Sequence, residues 1–293
     1  MHILSVDQFS RQDVEEFCQR AEALRRTKKT NKAAQGKLLA NLFYEASTRT
    51  SSSFHAAMHK LSGNVLPIND VNYSSVSKGE NLEDTIRTLS CYADVIVLRH
   101  PEIGAAKRAS LVSTVPIINA GDGAGEHPTQ ALLDFYTIWR EQEELEGITV
   151  TLMGDLKHGR TVHSLAKLLR LWNVKLNFVS PPELGIPREY KRDGDGEAFD
   201  LNEFIRTTDV LYMTRVQKER FVMSEVPILN LSYELTLEHM SRAKETLTLM
   251  HPLPRNEEIP SSIDVDPRAA YFRQMENGLW MRTVLLEKVL TQV

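Results

Sequence analysis

Leu42-Phe43-Tyr44-Glu45-Ala46-Ser47-Thr48-Arg49-Thr50-Ser51-Ser52-Ser53-Phe54 runs from an apolar segment through polar residues into a helical pattern, as a strand feeding a helix start would. The first N–H groups of a helix have no internal partner and sit at the positive end of its dipole, so an oxyanion placed there satisfies both. Arg49 adds a planar fork of donors. The segment therefore reads as a phosphate site, to be weighed against an ordinary Ser/Thr N-cap beside a surface arginine.

Working outward, short apolar runs at 39–43, 95–98, 116–119, 148–153, 176–179, 210–213 and 246–250 alternate with helical patterns at 14–25, 48–61, 82–92, 128–144, 161–171 and 235–242. Short buried runs alternating with helices indicate parallel sheets of βα units, so the chain reads as α/β throughout. Polar motifs recur where a strand ends and a helix begins, which is where open α/β sheets gather their ligands. Pro128, favourable at a first helical position, follows the glycine-rich loop at 121–125, and the hinge between units is expected there. The stretch 191–197 is polar and contains Gly194 and Gly196, so a solvated loop is expected. From Asn277 onward, Leu279, Trp280, Val284, Leu285 and Val289 recur at helical spacing, which says that one face packs on something.

A length of 293 residues favours two domains over one. The net charge of −4 argues against a nucleic-acid binder that relies on bulk positive charge, so basic chemistry must be concentrated in a pocket. Only Cys18 and Cys91 are present, without the CxxC spacing of a zinc site, which fits a reduced, cytoplasmic setting. Asp7, Arg11, Asp13, Glu15 and Glu16 stand where a signal peptide would need an apolar core, and no apolar run approaches a membrane span. No GxGxxG follows any strand, which removes a dinucleotide-binding reading.

Four further segments carry polar chemistry: Arg99-His100-Pro101; Gly121-Asp122-Gly123-Ala124-Gly125-Glu126-His127-Pro128-Thr129-Gln130; Gly154-Asp155-Leu156-Lys157-His158-Gly159-Arg160-Thr161-Val162-His163-Ser164; and His251-Pro252-Leu253-Pro254-Arg255. With Ser47-Thr48-Arg49-Thr50, and in this order, they resemble the transcarbamylases. The last segment and Met213-Thr214-Arg215-Val216-Gln217-Lys218 resemble the aspartate branch of that family. The ornithine branch resembles His-Cys-Leu-Pro at the last segment, so Leu253 and Pro254 favour aspartate. The similarity runs from about Leu38 to the C-terminus.

The resemblance implies two doubly wound domains, each a central parallel sheet flanked by helices, joined by interdomain helices. Residues 1–130 with 275–293 would bind carbamoyl phosphate and 131–274 aspartate, the final helix crossing back to complete the first domain. Ser47, Thr48, Arg49 and Thr50 would hold the phosphate. Thr50, Arg99 and His127 would donate to the carbonyl oxygen, and Gln130 would contact the amide nitrogen. Arg160 matches the residue for the α-carboxylate and Arg215 that for the β-carboxylate, with Gln217 in support. Bidentate Arg–carboxylate pairing suits this task. Read from the residues alone, Arg99 could be a surface ion-pair partner and Arg215 part of a solvated charge run.

A cis bond before Pro254 is implied, aiming the Leu253 carbonyl at the substrates. Lys78 and a serine, Ser75 or its neighbour Ser74, would reach into the site of the adjacent subunit, which implies a homotrimer with shared active sites. No metal or organic cofactor is implied, since the attacking group is the substrate's own amine. Ser51-Ser52-Ser53 and His158 resemble the animal multifunctional form of the family, which makes a separate regulatory subunit doubtful. The competing reading is a transcarbamylase-like scaffold that no longer catalyses.

Overall fold

The computed structural model describes residues 1–29, 31–68, 79–216 and 233–291. The chain divides into two compact units, Met1–Leu133 with Glu276–Val293, and Asp134–Met275. Ser74, Ser75, Lys78 and Gln217 lie outside the described residues.

The first unit runs α1 (Arg11–Thr27), β1 (Leu38–Phe43), α2 (Thr48–Lys60), β2 (Asn64–Ile68), α3 (Leu82–Ser90), β3 (Val95–His100), α4 (Ala105–Val112), β4 (Ile117–Asp122) and the start of α5 (Pro128–Glu141). Its strands are all parallel in the order β2-β1-β3-β4. The winding leaves β1 toward β2 on one side and toward β3 and β4 on the other. Right-handed crossovers then put α2 and α4 on opposite faces of the sheet. Ala40, Leu42, Ile96, Leu98 and Ile117 form one core with Ile86 and Leu89 of α3 and Ala105 and Ala109 of α4. α1 begins three residues earlier than its apolar pattern because Ser10 and Asp13 form a capping box.

The second unit contains β5 (Thr149–Met153), α6 (Arg160–Leu169), β6 (Lys175–Val179), β7 (Gly196–Ala198), β8 (Val210–Met213), α7 (Leu237–Arg242), β9 (Thr248–Met250) and the start of α8 (Tyr271–Thr291). Its sheet is again all parallel, in the order β7-β6-β5-β8-β9, with the winding reversing between β5 and β8. Met153, Val179, Leu211, Met213 and Leu249 pack on one face with Met240 of α7. On β8, Tyr212 points the other way, as strand alternation requires. Its hydroxyl donates to Asp134 Oδ2 at 2.7 Å, and Gln274 Nε2 donates to Asp134 Oδ1 at 2.6 Å. Asp134, Tyr212 and Gln274 are all fully buried, so this carboxylate depends on such donors to stay bonded in the core.

α8 continues into the first unit, where Trp280, Met281, Val284 and Leu285 are buried. Arg282 donates to Ser53 Oγ on α2 at 2.9 Å, and Glu287 accepts a two-pronged bond from Arg20 at 2.7 and 2.8 Å. The C-terminal helix is therefore clasped to α1 and α2.

Seven strands coincide with apolar runs. The other two, β2 and β7, do not. β2 lies at a sheet edge, carries Pro67 and alternates between half-buried and exposed residues. β7 is a three-residue edge strand, so the polar stretch 191–197 is not loop throughout but ends in a strand paired with β6. Edge strands need no continuous apolar run, because one long side of the backbone faces outward. α4, a short alanine-containing helix opened by Gly104 in the left-handed conformation, was likewise not expected from periodicity.

Among the described residues no helix is long and apolar enough to cross a membrane. Both cysteines are free thiols, Cys18 buried and Cys91 exposed. Burial holds the Cys18 thiol far above its ordinary range, whereas the thiolate is the reactive form. Titration with an aromatic disulfide at pH 8 should therefore label Cys91 in the native protein and Cys18 only after denaturant is added. Rapid native labelling of Cys18 would contradict its place in the core.

Candidate active site

In the first unit the polar motifs collect at one edge of the sheet, the carboxyl ends of β1, β3 and β4. Phe43 and Arg99 are register partners, as are His100 and Asp122. Ser47 is the N-cap residue of α2 by position, yet its side chain makes no capping hydrogen bond. Ser47 therefore does not act as a side-chain N-cap, the plain reading of this segment. Asn41, buried in β1, donates to the Ser51 carbonyl at 3.2 Å and to its hydroxyl at 3.0 Å, pinning that turn against the strand. Thr48 and Arg49 are exposed and Thr50 is buried.

Arg99 is not a loose surface arginine. Its Nε donates to Glu45 Oε2 at 3.1 Å and its Nη1 approaches Ser47 Oγ at 3.4 Å, with 17% of the side chain exposed. Glu45 thus orients the guanidinium beside the start of α2, a part that spacing could not reveal because 54 residues separate the pair.

The approach to His127 is equally fixed. The Asp122 carboxylate accepts the Glu126 and Gly104 N–H groups, each at 2.9 Å. The Glu126 carboxylate accepts Ser5 Oγ at 2.8 Å and the Val6 N–H at 3.0 Å. Gly123 has φ +53°, and a Cβ there would lie 2.5 Å from the Pro101 carbonyl oxygen. His127 and Gln130 emerge from this loop almost fully buried, and His127 Nδ1 lies 3.4 Å from Thr129 Oγ1. The edge thus presents a helix start, a braced arginine, an imidazole and an amide, a set suited to a phosphate with a neighbouring carbonyl.

The second unit repeats the device. α6 starts directly after the loop that follows β5, its N-cap position is Gly159, and no side chain caps it. Arg160, 4% exposed, is its first residue. Buried Asp155 folds the loop by accepting the His158 N–H at 3.0 Å, and His163 Nε2 lies 2.8 Å from the Leu156 carbonyl, so that ring nitrogen carries the proton. Burial lowers the His163 pKa, which agrees with a neutral ring stacked 4.3 Å from Tyr190. Next to β5, β8 ends at Met213 and passes through Thr214, whose N–H donates to the Met153 carbonyl at 2.8 Å, into half-buried Arg215. Arg160 and Arg215 therefore stand at the ends of neighbouring strands, on the two sides of the winding reversal.

β9 ends in the His251 segment. The Leu253–Pro254 bond is cis, and Leu253 has φ +56°. The Leu253 N–H donates to His251 Nδ1 at 2.8 Å, while His251 Nε2 lies 2.9 Å from Glu258 Oε1. Burial, followed by a hydrogen bond to Glu258 that acts the other way, leaves the His251 pKa below its ordinary value. For Glu258, burial pushes the pKa up, but the His251 bond and the backbone donors outweigh it and the net shift is downward. The pair is thus a neutral imidazole donating to a carboxylate. Glu258 and the His251 ring were not anticipated as parts of the site. Among the described residues no group of three or more His, Cys, Asp or Glu is placed to hold a metal ion.

Residues 1–140 match the family model described as aspartate/ornithine carbamoyltransferase, carbamoyl-P binding domain, and residues 146–289 match its Asp/Orn binding domain. The chain belongs to the aspartate/ornithine carbamoyltransferase family. It is 45% identical over 295 residues to an aspartate carbamoyltransferase catalytic subunit of Archaeoglobus fulgidus, covering 99% of each chain. It is 50% identical over 305 residues to the multifunctional protein CAD of Squalus acanthias, covering 99% of this chain but only 13% of that much longer relative. The crystal structure of Trypanosoma cruzi aspartate transcarbamoylase in complex with carbamoyl phosphate and aspartate superposes with a TM-score of 0.94, at 44% identity over 98% of this chain and 96% of that one. The two-domain α/β architecture expected from the sequence is the one observed, and it is the fold of this family.

Within this family member, Gly154, just past the end of β5, lies tight against the backbone of Thr214, just past the end of β8. It has φ +120°, and a Cβ would lie 2.2 Å from the Thr214 carbonyl oxygen, whereas Gly147, at φ +78°, faces open space. Gly147→Ala should cost about 1–2 kcal/mol for its left-handed backbone alone. Gly154→Ala should lower the thermal midpoint distinctly more, because it adds a backbone clash beside Arg215. Equal losses in differential scanning calorimetry would remove that close approach as a constraint.

Proposed function

We propose that this chain is a catalytic aspartate carbamoyltransferase chain, moving the carbamoyl group of carbamoyl phosphate to the α-amino group of L-aspartate in de novo pyrimidine biosynthesis. One observation carries the reading. Each unit leaves a helix start without a side-chain cap after a central strand, with an arginine in the first turn, Arg49 in one and Arg160 in the other. One such site suits a phosphate and the other a carboxylate.

In this reading Ser47, Thr48, Arg49 and Thr50 hold the phosphate. Thr50, Arg99 and His127 donate to the carbonyl oxygen as negative charge develops on it, and Gln130 holds the amide nitrogen. Arg160 takes the α-carboxylate and Arg215, with Gln217, the β-carboxylate. The carbonyl of Leu253, followed by Pro254, orients the attacking amine. The amine adds to the carbonyl carbon, the C–O bond to phosphate breaks, and the departing phosphate takes the amine proton. N-carbamoyl-L-aspartate and phosphate result, with no metal or organic cofactor required. The donors are preorganised by Glu45, Asp122 and Asp155, so they need not reorient as charge develops.

The active assembly in this proposal is a homotrimer in which Lys78 and Ser75, or Ser74, of one subunit complete the site of the next. A separate regulatory subunit is not part of it. Two unpaired cysteines suit a reducing compartment, in keeping with a cytoplasmic enzyme.

Purified chain supplied with labelled carbamoyl phosphate should carbamoylate L-aspartate and not L-ornithine. Product with ornithine alone would move the branch, and product with neither would leave a non-catalytic family scaffold. Arg49→Ala should abolish carbamoyl phosphate binding and with it turnover, since it removes the guanidinium that pairs with the phosphate. Arg215→Ala should act mainly on aspartate saturation, and small, equal effects on both kinetic constants would sink the assignment. Mixed trimers of Arg49→Ala and Lys78→Ala chains should recover activity that neither parent has. Absence of recovery in verified mixtures would remove the shared site.

A further inference from the structure

The His251 ring is fully used by the protein yet stands outside the roles proposed above. It is 1% exposed and follows β9 directly. A backbone N–H can only donate, so the 2.8 Å contact from the Leu253 N–H requires an unprotonated Nδ1. The proton must then sit on Nε2, where it points at Glu258 Oε1. Glu258 is itself held, its Oε2 accepting the Asn256 N–H at 3.1 Å. From behind, the His251 N–H donates to Gln274 Oε1 at 3.0 Å, and Gln274 is bonded in turn to Asp134. Burial, the largest influence, outweighs the opposing pull of Glu258 and holds the pKa of the ring below its ordinary value, with Arg255 and Arg215 adding to it.

Leu253 needs such a hold. Its φ of +56° lies in the left-handed region, which is unfavourable for any residue that bears a side chain. The bond from its N–H to the ring two residues earlier ties that peptide to a side chain whose other nitrogen is anchored. We infer that His251 is a positioning residue for substrate recognition. Its neutral imidazole, fixed in one tautomer by Glu258 and in place by Gln274, sets the backbone of Leu253 and so the direction of the Leu253 carbonyl. The inference rests on the proposed function, in which that carbonyl meets the aspartate amine. Protonation is not its working step, and no proton passes through the ring to substrate.

The two ring nitrogens have separate jobs, and two substitutions separate them. His251→Asn places an amide oxygen near the position of Nδ1 and keeps an acceptor for Leu253. His251→Gln extends its amide toward the position of Nε2, keeping a donor for Glu258 while withdrawing the acceptor. Steady-state kinetics of both variants should be compared with binding of carbamoyl phosphate alone, followed by equilibrium dialysis. His251→Gln should raise the aspartate KM about tenfold or more, the cost of one misdirected polar contact, with carbamoyl phosphate binding unchanged. His251→Asn should return the aspartate KM to within about threefold of the unsubstituted chain.

Equal KM values in the two variants, or loss of carbamoyl phosphate binding in parallel with loss of aspartate saturation, would overturn the positioning role in favour of a purely structural one. Should His251→Gln not fold, Glu258→Gln decides. It retains the shape and an acceptor but weakens the tautomer lock, so a rise of about threefold in the aspartate KM is expected and no rise overturns the inference. Absence of aspartate carbamoylation by the unsubstituted chain would instead overturn the functional reading itself, before any variant is compared.

Discussion

A helix cannot bond its own first N–H groups, and both units are arranged around that deficit. In each, a central strand runs into a helix whose N-cap residue contributes no side-chain cap, and the sheet's winding reverses at that strand. The reversal matters because it sends the chain away on both sides of the strand end. The deficit, the dipole and an arginine in the first turn then act at one place. The rest of the local structure keeps that place from collapsing. Asn41 pins the turn after β1, Asp155 folds the loop after β5, and glycines at 123 and 154 allow approaches that any side chain would block.

Much of this was legible in the sequence, and the reason is physical. Strands buried on both faces are largely apolar, so β1, β3, β5 and β8 announce themselves, and motifs follow each of them as they also follow β4 and β9. Edge strands β2 and β7 are held by one neighbour each and have no such obligation. Arg99 followed an apolar run and stands at the end of β3. Arg160 and Arg215 likewise follow β5 and β8. Arg99 does form an ion pair, with Glu45, in a largely covered position, and nothing in the order of residues connects positions 45 and 99.

The bracing groups were the least legible. Glu45, Asp122, Glu126 and Glu258 are ordinary acidic residues in sequence, and only the fold brings each to its partner. Their shared trait is that each carboxylate holds backbone N–H groups, a guanidinium or an imidazole rather than facing water. A buried or half-buried carboxylate is costly unless so used. Acidic groups near such sites are therefore better understood as scaffolding for donors than as candidate acids and bases.

The discontinuity of the first unit bears on how the chain reaches its native state. Unit two is one continuous segment, Asp134–Met275, whereas unit one needs Glu276–Val293 to cover α1 and α2. During synthesis the second unit has all its residues before the first does. Strands β1 to β4 precede in the chain the helix whose Arg282 lies over the Phe54 ring and whose Lys288 lies over the Phe17 ring. An order in which the amino-terminal unit is complete before the next is made is therefore not open to this chain. The unit whose strands come earlier along the chain is thus the one completed last.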